Sequence, residues 1–550
     1  MYLAVAMLFA SATGRAQSQE PFFTGTVHTG QSVSVTAPVG PPALRLLTAS
    51  QYKATVADIF GSDINADGDL PPEIRKDGLL ALGSAQTTIA PTGIEEYALL
   101  AHKVAAQVID EKHRNNLIGC APSVPLKITD SCTKGFIATA GRLLYRRPLT
   151  SGELKTQLEL AQKGAGILKD RYAGIGASLT NMLSSPQFLY RWENPRVIRS
   201  TSNEGELDSY SAAQRLSFFL WNSAPDAELL SAAQSGKLDT SSGWNRQVDR
   251  LLASPRLELG LRAYFEDMLG FDGFKSLSKD LVLYPKYSSI LGVDAKEETL
   301  RTIIDLLLRN GGDYRDLFIV KDTFLTKRLG AVYGVPTEAA SDTWAPFKFS
   351  DRDPRGAGIL THASFVALHS HPGRSSATIR GRAIRELLLC QKVPDPPGNV
   401  NFNLVQDTSN PLYRTARQRL QVHATEPMCA GCHKLTDPVG LSLENFDTIG
   451  AHRTEENGAV IDASGQLDGV KFEGANGLGK AMHDSPAATA CVAEKLYEYG
   501  VGHSVNKAER EWLKTNLGPS FEQEGYRIVP LLRLIAMSPG FRAVVNPVIR

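Results

Sequence analysis

Cys429-Ala430-Gly431-Cys432-His433 concentrates more chemistry than any other five residues of this chain. Two thiols three positions apart can add to the two vinyl groups of one porphyrin. The histidine next in line can turn its imidazole beneath the iron, which is the C-x-x-C-H spacing of c-type haem attachment. Zinc and dithiol redox sites also use C-x-x-C. A zinc knuckle needs a second ligand pair at close spacing, however, and Cys120, Cys132, Cys390 and Cys491 supply no second C-x-x-C. One covalent haem c is therefore expected, held by Cys429 and Cys432, with His433 as the proximal iron ligand. For the distal position the candidate is Met482, downstream and just before a closing helix, where thioether ligation would raise the potential. His371, His423, His452, His483 and His503 compete for it, and an open or water-bound iron is a further alternative.

After the motif, the run Lys434 to Asp447 holds a Pro-Gly turn at Pro438-Val439-Gly440 and apolar Leu441, Leu443 and Phe446. It reads as a wall that excludes water, with a carbonyl such as that of Pro438 orienting His433 through its second ring nitrogen; a plain turn is the alternative. Asp63, Asn65 and Asp67, with Gly68 at the sixth position, begin like a calcium loop. The pattern then departs: position twelve is Ile74, Glu73 comes one place early, and Pro71-Pro72 falls inside, so a solvated acidic turn is the better reading. His369-Ser370-His371 lacks nearby carboxylates and is a weak metal signal. No G-x-S-x-G, Walker loop or dinucleotide fingerprint is present.

The elements that must position the motif are mostly helical. Leu47, Tyr52, Val56 and Ile59-Phe60 recur at helical spacing with Thr48 or Ser50 as cap, and a second helix is expected from about Glu95 to Asn115. Further helices are expected from Phe136 to Tyr145, from a Thr150 cap, and up to Leu183. Ser211 to Gln214 reads as a capping box, Pro225 as the first turn of a helix closed by Gly236, and Leu300 to Leu308 as a long helix ended by Asn310-Gly311-Gly312. Strand signals are sparse; Ala459 to Asp462 and Gly469 to Phe472 suggest one small hairpin. Around the motif, an entry helix from Leu412 to Leu420, a thioether loop, a long wrap and a closing helix from Ala487 to Tyr499 resemble a small mono-haem cytochrome c. The expected fold class is mainly α: several small helical domains plus a cytochrome c-like haem domain with a small β hairpin. The expected division is a signal peptide at 1–18, a linker at 19–42, helical domains at 43–118, 119–195 and 205–340, a helical segment at 350–410 packing on the haem domain, and the haem domain with C-terminal helices at 411–548.

The balance of 59 Lys and Arg against 58 Asp and Glu gives a net charge of +1, with no dense basic run, which argues against a nucleic-acid partner. Tyr2 to Ala10 is an apolar run of signal-peptide length, too short to span a bilayer, although the usual basic n-region is missing. No later run has the length of a transmembrane helix. Export to the periplasm or cell surface is expected, and the cysteines agree. Setting the two haem thiols aside leaves four, an even number that allows three pairings in an oxidising compartment. Cys120 with Cys132 and Cys390 with Cys491 is the favoured set, the first closing a short loop, worth roughly 3 kcal/mol if unstrained.

Several stretches carry a family resemblance. They are Arg45 to Tyr52 with Thr55 to Gly61; Arg146 to Thr150; Ser185 to Arg191; Arg215 to Asp226; Gly356 to Thr361; Arg380 to Arg382 with Leu388 to Cys390; and Cys429 to Asp447. In order and wording they resemble a family of large secreted c-type-cytochrome-like proteins abundant in planctomycetes and related bacteria, catalogued as a fixed series of domains of unknown function. The resemblance implies a haem-bearing exported protein and no particular reaction. Where such proteins read Tyr-x-x-Gly-Arg, this chain has Tyr499-Gly500-Val501-Gly502-His503, which favours His503 as a ligand candidate. The leading functional expectation is one-electron transfer with a redox partner protein. The alternatives are a helical scaffold with a haem relay, and a haem-dependent oxidoreductase acting on its own substrate.

Overall fold

Short polar side chains set many of the helix starts. Thr48 caps Ala49–Phe60 and Thr150 caps Ser151–Leu168; in both, the cap hydroxyl accepts an N–H of the first turn while Gln51 or Glu153 reaches back to the cap's own N–H. Asp130 and Asp170 cap Ser131–Leu144 and Arg171–Leu183 in the simpler way. Two expected starts move. Ser209–Trp221 is capped by Asp208, whose carboxylate accepts the Ser211 N–H at 2.7 Å, so Ser211 lies inside the helix. Its hydroxyl instead accepts from the Asn194 N–H and donates to the Trp192 carbonyl. Pro225 likewise stands outside Ala227–Gln234, because Asp226 takes the cap.

The computed structural model describes residues 39–196, 204–395, 407–408, 410–423 and 427–545, with only the backbone described at 204, 422–423 and 427–429. The expected signal peptide, and the linker as far as residue 38, lie outside the described residues. The fold is mainly α with small β ladders, as expected. Five N-terminal helices, Ala49–Phe60, Pro91–Ile109, Ser131–Leu144, Ser151–Leu168 and Arg171–Leu183, enclose a core that includes Tyr52, Val104, Ile137, Leu179 and Phe188. A second, larger core joins Trp221, Trp244, Phe265, Leu300, Leu496 and Ile535. The closing helix Pro486–Val501 packs into that core against Ser209–Trp221, and Ala543–Val545 pairs with Glu204–Leu207, so the C-terminal segment returns to the middle of the chain.

The single expected hairpin resolves into two. Glu455–Glu456 pairs with Ala459–Val460, and Ser464–Leu467 with Val470–Glu473. Asn457-Gly458 and Asp468-Gly469 make the turns, all four residues at positive φ, the backbone that two-residue hairpin turns demand. Both favoured disulfides are present, Cys120–Cys132 and Cys390–Cys491. No helix among the described residues is long and apolar enough to cross a membrane.

Helix Pro427–Gly440 carries the C-x-x-C-H motif and crosses Ala377–Ala383 at very short range. A Cβ at Gly381 would stand 1.9 Å from the Thr436 carbonyl oxygen, and one at Gly440 would stand 1.8 Å from that of Ala377. Two glycines, one on each helix, thus let the backbones touch.

Candidate functional site

The motif sits in a helix, not in the expected loop. Pro427 supplies a favourable first residue, since its missing N–H would have no partner there, and the helix continues through Pro438 in its last turn to Gly440. A 3₁₀ turn, Leu441–Leu443, then replaces the expected Pro-Gly turn. Positions 429 and 432 are one helical turn apart, and 433 begins the neighbouring stripe. One face of the helix is buried at Thr436, Asp437, Val439 and Gly440, while Gly431, Lys434 and Leu435 are exposed.

His433 is held by a partner that was not foreseen. Its Nδ1 lies 2.7 Å from Oδ2 of Asp437, four residues on. An ionised carboxylate only accepts, so the Nδ1–H is the donor of this bond. The other carboxylate oxygen, Oδ1, accepts from the hydroxyls of Thr378 at 2.8 Å and Thr436 at 3.2 Å. Thr378 comes from the crossing helix, so the glycine contact between the helices also fixes the carboxylate. The Pro438 carbonyl, the expected partner of His433, points toward Gly465 instead: a Cβ there would stand 2.7 Å from it. His-x-x-x-Asp at one-turn spacing was the available signal, hidden because Pro438 and Gly440 read as a helix breaker.

The Cys432 thiol is half-buried, outside any disulfide, and 3.5 Å from the Pro394 carbonyl. That carbonyl lies four residues beyond Cys390, whose disulfide to Cys491 anchors the segment. Arg385 reinforces the same corner: its Nε donates to the Leu435 carbonyl at 3.1 Å and its Nη1 pairs with Asp468 at 2.5 Å. Leu441, Leu443 and Phe446 are all buried beyond the motif. Phe446 meets the ring of His452 edge-on and lies under the guanidinium of Arg355, 5.0 Å away.

Met482 is fully buried on Gly474–His483, in the central core that also holds Leu443, Phe446 and Leu478. His503 bonds Glu509 at 2.8 Å, and His483 bonds Asp484 at 2.8 Å. Burial pulls His371 down to about 4, with Arg374 and Lys279 adding to it. Burial also takes His369, packed on Phe365, down to about 3. The side chain of His423 lies outside the described residues. In the acidic turn, Asp67 pairs with Lys53 at 2.6 Å, Asn65 Oδ1 accepts from Lys103 at 3.0 Å, and Asp63 lies 3.1 Å from His113 Nε2. These oxygens meet basic side chains.

The donor set fits a c-type haem. The motif supplies two cysteines on one helical stripe, of which Cys432 is an unoxidised, partly accessible thiol, and a histidine whose Nδ1 is engaged by a fixed carboxylate. The other four cysteines are consumed in disulfides.

Five family models match in succession, each described as a protein of unknown function: DUF1587 at 45–110, DUF1595 at 132–193, DUF1592 at 207–335, DUF1588 at 356–456 and DUF1585 at 468–541. The C-x-x-C-H motif falls within the DUF1588 match. No curated protein and no solved structure matches the chain. The fold and the series of matches define a large, mainly helical multidomain protein. More particularly, the five matches, none of which alone spans half of the chain, follow one another as a consecutive series of domains of unknown function.

Proposed function

We propose that the chain is an exported mono-haem c-type cytochrome-like protein that transfers single electrons within a periplasmic or cell-surface oxidoreductase system. The observation that carries this reading is the 2.7 Å contact between His433 Nδ1 and Asp437, immediately after two cysteines in haem-attachment spacing. Metal-ligating histidines characteristically give their other ring nitrogen to a carboxylate or carbonyl, which fixes the tautomer and raises the basicity of the ligating nitrogen. Domains of the DUF1585 and DUF1588 type are associated with cytochrome c-like proteins, which supports the same reading.

In this reading Cys429 and Cys432 form the thioethers and His433 ligates iron through Nε2. Asp437 holds the imidazole in one orientation, and Thr378 and Thr436 hold Asp437. Leu441, Leu443 and Phe446 keep water from the buried side of the motif helix. Bound haem c supplies a one-electron couple. Met482 is the distal candidate, and taking that role requires it to leave its core position. The two disulfides accord with export. A redox protein is the partner, and the separate N-terminal core provides a body on which such a partner can dock.

The test is the absorption spectrum of the protein matured in a host with haem-attachment machinery, with and without peroxide or carbon monoxide. A low-spin, six-coordinate haem unreactive to both supports electron transfer. A high-spin open site that turns over peroxide overturns it in favour of an oxidoreductase with its own substrate.

A further inference from the structure

Far from the haem motif in sequence, two arginines face inward from a two-stranded ribbon. Leu44–Leu46 and Tyr190–Trp192 pair antiparallel with Arg45 directly opposite Arg191. Opposed residues of such a pair point to the same face, so two like charges stand side by side, a destabilising arrangement unless something offsets it. Arg45 is 0% exposed and Arg191 5% exposed, so water does not screen them.

Glu193 offsets only part of this charge. Its carboxylate takes Arg45 Nη2 at 2.7 Å, a bidentate pair from Arg215 at 3.0 and 2.5 Å, and the Ala43 N–H at 2.8 Å. Two buried guanidinium groups thus share one carboxylate and that of Arg191 adds its charge beside them, a surplus of two positive charges. Arg146, next to Arg191, is a fourth buried cation, but four backbone carbonyls and Gln214 absorb its donors. Among the described residues no such partners serve the ribbon pair, and Nε and Nη1 of Arg45 and Nε of Arg191 are buried donors without an acceptor there. Arg191 rests on the Phe218 ring at 4.3 Å, a contact that attracts the charge but accepts no hydrogen bond. The C-terminal turn of Pro486–Val501 closes the other side: a Cβ at Gly502 would stand 2.2 Å from Arg45 Nη1, yet no carbonyl of that turn accepts from Arg45. Buried charges in proteins are ordinarily paired, and arginine does not escape by losing its proton.

We propose that Arg45 and Arg191 form a buried binding site for a small monovalent inorganic anion, with chloride as the ligand. The unpartnered guanidinium N–H groups are its donors, and the anion lowers the surplus charge of the Arg45–Arg191–Arg215–Glu193 cluster. It binds the folded state alone, because the ribbon register that brings the two arginines together exists only there. The site stands apart from the haem reading and does not depend on it.

The test uses the full-length protein, dialysed free of halide and then titrated with sodium chloride or sodium gluconate at constant ionic strength. A saturable rise in melting temperature with chloride and none with gluconate is expected. Bromide-soaked crystals should show an anomalous peak between the two guanidinium groups. In Arg191→Met the chloride-dependent rise should disappear. Coincident chloride and gluconate curves, together with no bromide peak at the ribbon, would overturn the proposal; the wild-type crystal decides the matter if the variant does not fold.

Discussion

Nδ1 of His433 stands 2.7 Å from Oδ2 of Asp437, and the two residues are one turn apart on the same helix. Everything proposed for the motif passes through this pair, because a tethered imidazole without a fixed partner could rotate and exchange tautomers. The carboxylate places negative charge behind the ring, which would favour the oxidised state of an iron ligated by His433.

Asp437→Asn keeps the side-chain shape and removes that charge. The haem-loaded variant should therefore show a midpoint potential shifted upward. Thr378→Val, which removes one hydroxyl donor from the carboxylate, should leave the Asp437 charge in place and move the potential less. Redox titration of the three proteins checks the order; an unchanged potential in Asp437→Asn would remove Asp437 from the account.

The motif helix depends on glycine at its crossing. Gly381→Ala places a methyl 1.9 Å from the Thr436 carbonyl, and backbone cannot swing aside as a side chain can. A loss of about 1–3 kcal/mol is expected from such overpacking, with a lower yield of attached haem because Thr378 moves with its helix. Gly135→Ala, on a helix where a Cβ meets nothing within 4 Å, is the matched control and should be neutral or stabilising. Thermal melts and haem-to-protein ratios measure both.

Met482 separates packing from ligation. Truncation to alanine should cost about 2–5 kcal/mol, since the side chain is fully enclosed. Met482→Leu conserves volume and should cost less than about 1.5 kcal/mol. If methionine is also the distal ligand, the leucine variant changes the reduced haem spectrum despite its stability; an unchanged spectrum assigns Met482 to the core alone.

A buried carboxyl gives a pH signature. Burial pushes Glu298 up to about 8 from 4.5, opposed by the Tyr333 hydroxyl at 2.5 Å. Between those values the folded chain keeps a proton that the unfolded chain releases, so this group's stability is fully present below pH 4.5 and is lost as pH rises to about 8. Glu298→Gln does not titrate. The variant's stability minus that of wild type should therefore grow across this window, by at most about 1.4 kcal/mol per pH unit. Lys279, lowered by burial to about 7, and His362, lowered by burial to about 3, titrate in both proteins and cancel in the difference. A constant difference would mean that Glu298 is ionised in the fold.

Much of the scaffold was legible in the residues. Thr48 and Thr150 cap where their spacing to Gln51 and Glu153 says they should, and the even cysteine count led to both disulfides. Ser211 misled because Asp208, three residues earlier, is an equally good cap and reaches the helix first. Asn457-Gly458 and Asp468-Gly469 were readable as two tight turns, but their strands are short and weakly alternating, so one hairpin seemed enough. At the proposed site, Cys429, Cys432 and His433 are readable from their spacing, whereas Asp437 becomes a partner only once Pro438 is known to lie within a helix. Thr378 arrives through a tertiary crossing that no local pattern announces.

The most direct test is the mass of the proteolytic peptide spanning Cys429 to His433 from protein matured outside the cytoplasm, compared with Cys429→Ala and Cys432→Ala. One haem covalently retained after denaturation is expected in the wild type, with attachment weakened in each single variant and abolished in the double variant. A wild-type peptide carrying no haem, from material made alongside a correctly matured control cytochrome, would contradict it.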